Sequence, residues 1–406
     1  MPGVDRLASQ IGYGSAPFLS PHYEDSLFKP EGFAKASNFV WNTVKYTPTK
    51  INWTSTGGEY TLEMNAEKAI LGDIEFIYTL SAITSSGANE RFTDGGFFSI
   101  KKMELMVGNK VFWERTPYEF YLIDYPRLPE SERQKIDRNS LLHASEIQRN
   151  IISQSSKEYR IKLPLPWETF SEFLNMNTMG RVFKIVLTMN SFADCTESTG
   201  AATTSFTISN EAFWVDTYYI EDAEMRIQTL QINTADGILN RVFAVQKHEK
   251  VAVASSSTSV SLKLDNINLF AEALIITLTL QSDRDTNYSK KYLNFQTCDD
   301  IEIKAGSLTI LEKTPSEKFL KDTGNKWSVA KWSGEIASEI VYVIPFAPAY
   351  QAKNFCSGGQ MIEGVGNTTL YLYWDSATSA AMYLDVHSPV NSLLQRVGGE
   401  FKLIMK

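Results

Sequence analysis

Cysteine is scarce: Cys195, Cys298 and Cys356 are far apart and odd in number, which excludes a disulfide framework and reads as free thiols in a reducing compartment. No run approaches the roughly 18 apolar residues of a membrane-spanning helix. The opening MPGVDRLASQ lacks a basic stretch followed by an apolar core, so it does not read as a secretory signal. A basic surplus is also missing. With a net charge of −8, the chain does not suit the wrapping of bare nucleic acid, which takes a dense cationic face to displace counterions. The four histidines, His22, His143, His248 and His387, are far apart, and none stands at metal-ligand spacing from another His or a Cys. Long amphipathic helical patterns are nearly absent, and the helical candidates are short: residues 118–125, 167–174 and 317–323.

Strand signals fill the chain instead. Phe183, Ile185, Leu187 and Met189 alternate with Lys184, Val186 and Thr188, and the same period recurs at 260–265, 274–281 and 370–375. Met103, Leu105 and Val107 form another such set, followed by Gly108-Asn109, a pair suited to the positive φ of a two-residue hairpin, and by a return strand from Val111 to Trp113. Short runs separated by Gly, Pro, Asn, Asp and Ser are expected of β-sandwiches. Residues 194–210 are small and polar and read as an exposed loop. In the strand after it, Phe213, Val215 and Thr217 alternate with Trp214, Asp216 and Tyr218, which implies cover on both faces or an edge packed by another part of the chain. The charged EDAEMR then marks a boundary near Met225. The expected organisation is an N-terminal arm over residues 1–35, a first half over 36–225 and a second over 226–406, with no residue-level repeat between the halves.

Chemistry-bearing patterns are weak. Ser99-Ile100-Lys101-Lys102 spells S-x-x-K but begins a strand, where no helix start aims the two groups together. Gly12-Tyr13-Gly14-Ser15 lacks the strand–turn–helix frame of a nucleophile elbow or phosphate loop. Glu221-Asp222 and Asp299-Asp300 read as solvated acidic pairs, and His387 as a structural histidine. Sequons begin at Asn52, Asn287 and Asn367. No catalytic, cofactor-binding or metal-ligating residue is assigned, and no enzyme activity is expected.

The order of strand, VGNKV turn, aromatic insert and ERQKID resembles a signature of the double jelly-roll major capsid proteins of icosahedral double-stranded DNA viruses. Further matches follow the same order. IGYGSAPFLSPHYEDSLFKPEGFAKASNF is similar to that family's opening arm, Leu71-Gly72-Asp73-Ile74 to its "gDli" strand, and Leu163-Pro164-Leu165-Pro166-Trp167 to "iPLpFwF". WVDTYYIEDAEMR resembles "vdYiYLd..ERr", Leu269-Phe270 and Leu274-Ile275 stand at "LnFnhPvkeliW", and Val343-Ile344-Pro345-Phe346-Ala347 with Cys356-Ser357-Gly358-Gly359 resembles "YsFaL.P…PsG". The ending HSPVNSLLQRVGGEFKLIM is similar to "enyNvLrimsGmggLaf". Met225 in place of the first arginine of "ERr", and the missing "hPvk" segment, point to a divergent branch, with nucleocytoplasmic large DNA virus, polinton-like virus and virophage lineages all left open.

The resemblance implies an all-β fold of two tandem eight-stranded antiparallel jelly-roll sandwiches with short helical inserts. It implies a homotrimeric, pseudo-hexagonal capsomer in the virion shell, assembled in the host cytoplasm or nucleus. The implied partners are further copies of the chain, neighbouring capsomers, penton and minor or cement proteins, and an inner membrane met by the N-terminal arm. No cofactor and no direct sequence-specific nucleic-acid binding are implied. A scaffolding or minor capsid protein of the same fold, and a carbohydrate-binding β-sandwich, are the alternatives.

Overall fold

The computed structural model describes residues 39–64, 70–83, 91–92, 96–125, 130–142, 146–163, 165, 174–175, 182–197, 205–220, 238–267, 270–287, 290–320, 340–346, 360–361, 367–397 and 400–403. The expectations for residues 1–35, His22, His143, Cys356, Glu221-Asp222, the boundary near Met225 and the helix at 167–174 fall wholly or mainly outside these residues.

In the first half the strands are β1 (Phe39–Tyr46), β2 (Thr49–Thr54), β3 (Gly57–Met64), β4 (Ile70–Leu80), β5 (Arg91–Phe92), β6 (Ile100–Val107), β7 (Lys110–Arg115), β8 (Lys157–Lys162), β9 (Leu174–Asn175), β10 (Phe183–Met189), β11 (Thr196–Glu197) and β12 (Ile208–Ile220). One sheet runs β1-β12-β4-β8 with β9 on β4, another runs β2-β3-β10-β6-β7, and β5 pairs with β11. The second half holds β13 (Ile238–Val253), β14 (Ser259–Lys263), β15 (Phe270–Ala271), β16 (Ala273–Leu280), β17 (Asp300–Ala305) and β18 (Leu308–Pro315). It continues with β19 (Tyr342–Pro345), β20 (Gln360–Met361), β21 (Thr368–Tyr373), β22 (Met382–Val397) and β23 (Glu400–Leu403). There β13-β22-β16-β19 and β14-β21-β17-β18 are the two principal orders, with β15 and β23 added at β22 and β20 pairing with β15.

The two halves are one topology used twice. If β1, β3, β4, β6, β7, β8, β10 and β12 are numbered one to eight, the sheets read 1-8-3-6 and 2-7-4-5. Numbering β13, β14, β16, β17, β18, β19, β21 and β22 the same way returns the same two orders. Pairs 1·8, 2·7, 3·6 and 4·5 are those of a single long antiparallel hairpin, rolled so that strand 8 meets 3 and strand 7 meets 4, which is a jelly roll.

Period-two patterning builds the cores. Along β10 the buried Phe183, Ile185, Leu187 and Met189 alternate with half-buried neighbours, and β21 behaves likewise. Phe76, at the centre of the first core, lies 5.0 Å from the rings of both Tyr60 and Phe213, and Tyr78 stacks on Tyr159 at 5.5 Å. Strand β16 departs from the expected single buried face: Ala273 through Thr279 are all buried. Leu274, Ile276 and Leu278 enter the second core, whereas Ala273 and Ile275, with Val341 and Val343, join the core of the first half. The outer face of the second half's sheet is thus the floor on which the first half sits.

Local structure corrects three expectations. Gly108 has φ of 61°, but Asn109 is not in the positive-φ region, so only the first central residue of this hairpin needs a glycine-like conformation. The segment at 194–210 is not simply an exposed loop. Phe192–Cys195 is a buried helical turn, Thr196 and Glu197 pair with β5, and Phe206 packs within 3.8 Å of the Phe192 ring. Helices Glu130–Ser140 and Glu146–Ser153 lie outside the expected candidates: the first buries Arg133 and Ser140 beside Ile136, and the second aligns Ile147 and Ile151 on an exposed face. The helical reading of 118–125 holds, as Pro117–Glu119 capped by Thr116 and then a π-turn over Phe120–Asp124. At the third short candidate, Ser316–Phe319 forms one 3-10 turn.

Asp137, on the first of these helices, accepts a hydrogen bond from Tyr125 Oη at 2.7 Å. Burial raises its carboxyl to about 6, against the opposing effects of that bond and of Arg133. Because the folded value is raised, the associated stability is fully present below the unfolded value near 4 and lost as pH rises through 6. Asp137→Asn is expected to raise Tm by about 2–4 °C at pH 7.5, equivalent to about 1–2 kcal/mol after allowance for partial exposure, and to give no gain at pH 3.5. Thermal melts of both proteins at the two pH values check this.

Candidate functional site

Functional geometry concentrates at the seam between the halves and on the open face of the first. From the insert after β7, Tyr118 reaches the outer face of the second sheet. Its hydroxyl lies 3.0 Å from Thr277 Oγ1, and its ring sits 6.1 Å from Phe295, 5.5 Å from His387 and 4.9 Å from the Arg284 guanidinium. A second link stacks Phe98 on Tyr292 at 4.8 Å. Tyr292 Oη also donates to the Asp194 carbonyl at 3.1 Å, and Lys290 pairs with the Asp194 carboxylate. Burial raises the Asp194 carboxyl, but the Lys290 and Ser191 hydrogen bonds outweigh it and hold the group below its ordinary value.

Beside Tyr118 lies a cluster that residue spacing conceals. His248 and His387 were expected to stand apart, yet the antiparallel register of β13 and β22 sets them opposite each other, with rings stacked at 4.4 Å. Asp385 is two residues before His387 and therefore shares its face. The His248 Nε2–H donates to Asp385 Oδ1 at 2.8 Å, and Arg284 Nη1 lies 3.6 Å from Asp385 Oδ2. Burial pushes the Asp385 carboxyl up, but the His248 hydrogen bond and the surrounding cationic groups leave it below the usual value. Burial, with the neighbouring His248, lowers His387 to about 3, so its imidazole is neutral at physiological pH. Both His387 ring nitrogens are buried without a hydrogen-bond partner among the described residues. The one local signal was Asp385-Val386-His387, which places a carboxylate and an imidazole on one side of a strand.

The open face belongs to β1-β12-β4-β8. A cleft of about 340 Å³ there is lined by Asp73, Glu75, Ile77, Arg160, Trp214 and Asp216 among others. Trp214 is 37% exposed, whereas Phe213, Val215 and Thr217 on the reverse face are buried, so among the described residues only one side of β12 is covered here. Burial raises the Glu75 carboxyl; Asp73 and Asp216 add to the rise, and Arg160 and Lys162 oppose it.

The other patterns read from the sequence separate in space or are already engaged. Ser99 is buried, with its hydroxyl 3.0 Å from Tyr78 Oη, whereas Lys102 pairs with Glu104 and Glu114. Asp299 Oδ2 accepts from the Asp375 N–H at 2.6 Å, and Asp300 pairs with Lys313 at 3.2 Å. Cys195 and Cys298 are buried free thiols. Asn52, Asn287 and Asn367 are exposed.

Among solved structures, the chain is similar to PBCV-1 VP54 as fitted into a reconstruction of the virophage Sputnik, with a TM-score of 0.69 and 13% identity over 93% of this chain and 100% of that one. It is similar to the chain of a PBCV-1 virus capsid model, at 0.66 and 14% over 93% and 100%. The Faustovirus major capsid protein is similar at 0.64 and 9%, over 97% of this chain and 98% of that one. The likeness at these identities is one of fold, and it agrees with the doubled strand order: the chain is a double jelly roll. No protein-family model and no curated protein sequence matches it.

Truncating the seam anchor separates its two contributions. Tyr118→Phe is expected to destabilise by about 1–2 kcal/mol through the lost bond to Thr277. Tyr118→Ala should cost about 3–5 kcal/mol, because it also leaves a ring-sized void against His387 and Phe295. Urea unfolding of the two variants measures both values.

Proposed function

We propose that the chain is the major capsid protein of an icosahedral double-stranded DNA virus and assembles as a homotrimer. The observation that carries this reading is the one strand permutation repeated in a single chain, with the first half seated on the outer face of the second half's 1-8-3-6 sheet. Among the described residues, the equivalent face of the first half, at β1-β12-β4-β8, is open around Trp214. A second copy can seat its second half on that face in the way the first half seats within the chain. Such a head-to-tail contact is heterologous, and three chains close it into a ring of six similar sandwiches. A block of this outline tiles a shell with hexagonal packing. The fold shared with the Faustovirus major capsid protein supports the reading.

In this scheme residues 36–225 and 226–406 are the two jelly rolls, and residues 1–35 reach neighbouring capsomers, minor or penton proteins, or an inner membrane. The protein resides in the virion shell and acts by geometry rather than catalysis.

Light scattering and negative-stain microscopy of the purified protein test this proposal. A trimer forming hexagonal arrays is the expected result, and a stable folded monomer at micromolar concentration overturns it. Trp214→Arg, which places a bulky charge on the open face, is expected to shift the protein to folded monomers with unchanged circular dichroism.

A further inference from the structure

We propose that His248, Asp385 and His387 bind one divalent transition-metal ion of the zinc class at the seam between the two jelly rolls. Two imidazoles and a carboxylate suit a borderline-soft ion, and here their candidate ligand atoms all lie within 4.8 Å of one another. Ligand bonds of about 2.0–2.2 Å in a tetrahedron place donors about 3.4 Å apart. Because the two imidazoles are stacked at 17°, their in-plane lone pairs converge on one ion only after the ring of the more exposed His248 turns out of the stack. Its frame is rigid: Asp385 and His387 share one face of β22, and His248 stands opposite His387 on β13 in an uninterrupted ladder.

The independent sign of a missing ligand is His387. Its side chain is only 3% exposed, neither ring nitrogen has a hydrogen-bond partner, and the ring points into the cluster. Asp385 Oδ2 also lacks a hydrogen-bond partner, although the Arg284 guanidinium stands 3.6 Å away. Arg284 therefore balances that oxygen and leaves Oδ1 for the ion. Its charge also repels the ion, which keeps affinity below that of a closed four-ligand site, and water takes the fourth position. His248, 38% exposed, forms the solvent-side entrance. On binding, the ion replaces the Nε2 proton of His248, which moves through solvent to Nδ1. The bound ion ties β13 to β22 and fixes the His387 ring against Tyr118 of the first half.

The test uses the full chain, stripped with EDTA and titrated with Zn²⁺ by calorimetry and with Co²⁺ by visible absorption. The expected result is one ion per chain, a d–d band of four-coordinate Co²⁺, and a Tm that rises with Zn²⁺ and falls back with chelator. His248→Ala and His387→Phe should each weaken Zn²⁺ binding at least tenfold and abolish the Tm response. If His387→Phe fails to fold, His248→Ala, at the partly exposed position, decides the question alone. Absence of stoichiometric binding to the unmodified chain overturns the proposal, as does wild-type affinity in His248→Ala, which would mark binding elsewhere on the surface.

Discussion

Burial of both faces of β16 is the constraint on which the rest of the molecule depends. One side of this strand supplies Leu274, Ile276 and Leu278 to the second core, and the other gives Ala273 and Ile275 to the first. A sheet buried on both faces has no solvent side on which to spend polar residues, so polar groups on its outer surface meet partners either across the seam or within the second half itself. Thr277 meets Tyr118. Asp385 meets His248 and Arg284. The seam is therefore a polar layer set within an apolar contact, and its directional bonds orient two sandwiches that hydrophobic packing alone would leave free to slide.

This constraint also decides how much could be read from the residues. Strands with one wet face, such as β10 and β21, announce themselves by period two, because solvent selects polar residues at every second position. In β16 the same alternation of Leu and Ile with Thr looked like a half-exposed strand, since the threonines face a neighbouring sandwich rather than water. The polar helix at 130–140 gave no stripe to detect, and in the short helix at 146–153 Ile147 and Ile151 align on a face that is exposed rather than packed. Phe206, a lone aromatic in a small polar run, proved to be a core residue because Trp53 and Phe192 lie within reach of its ring.

The seam cluster was hidden for a different reason. Its members come from β13, β22 and the turn after β16, and only the rolled pairing of first strand with last brings them together. Local spacing carries no information about that pairing. Repetition of the strand order without repetition of residues makes the same point: the fold is specified by where buried faces and turns occur, not by which apolar residue fills each place.

The pairing of first strand with last also has a kinetic consequence. Phe39 at the start of β1 lies opposite Ile220 at the end of β12, and Ile238 lies opposite Val397. During synthesis, β1 and β13 must each wait for nearly a whole sandwich to leave the ribosome before their partner strand exists. At ~5–20 residues per second that interval is roughly ten to forty seconds. Through it the waiting strand presents an unpaired edge in a crowded cell. The topology that closes each sandwich thus makes its birth the most aggregation-prone stage of its life, and places a premium on chaperone cover while the chain emerges.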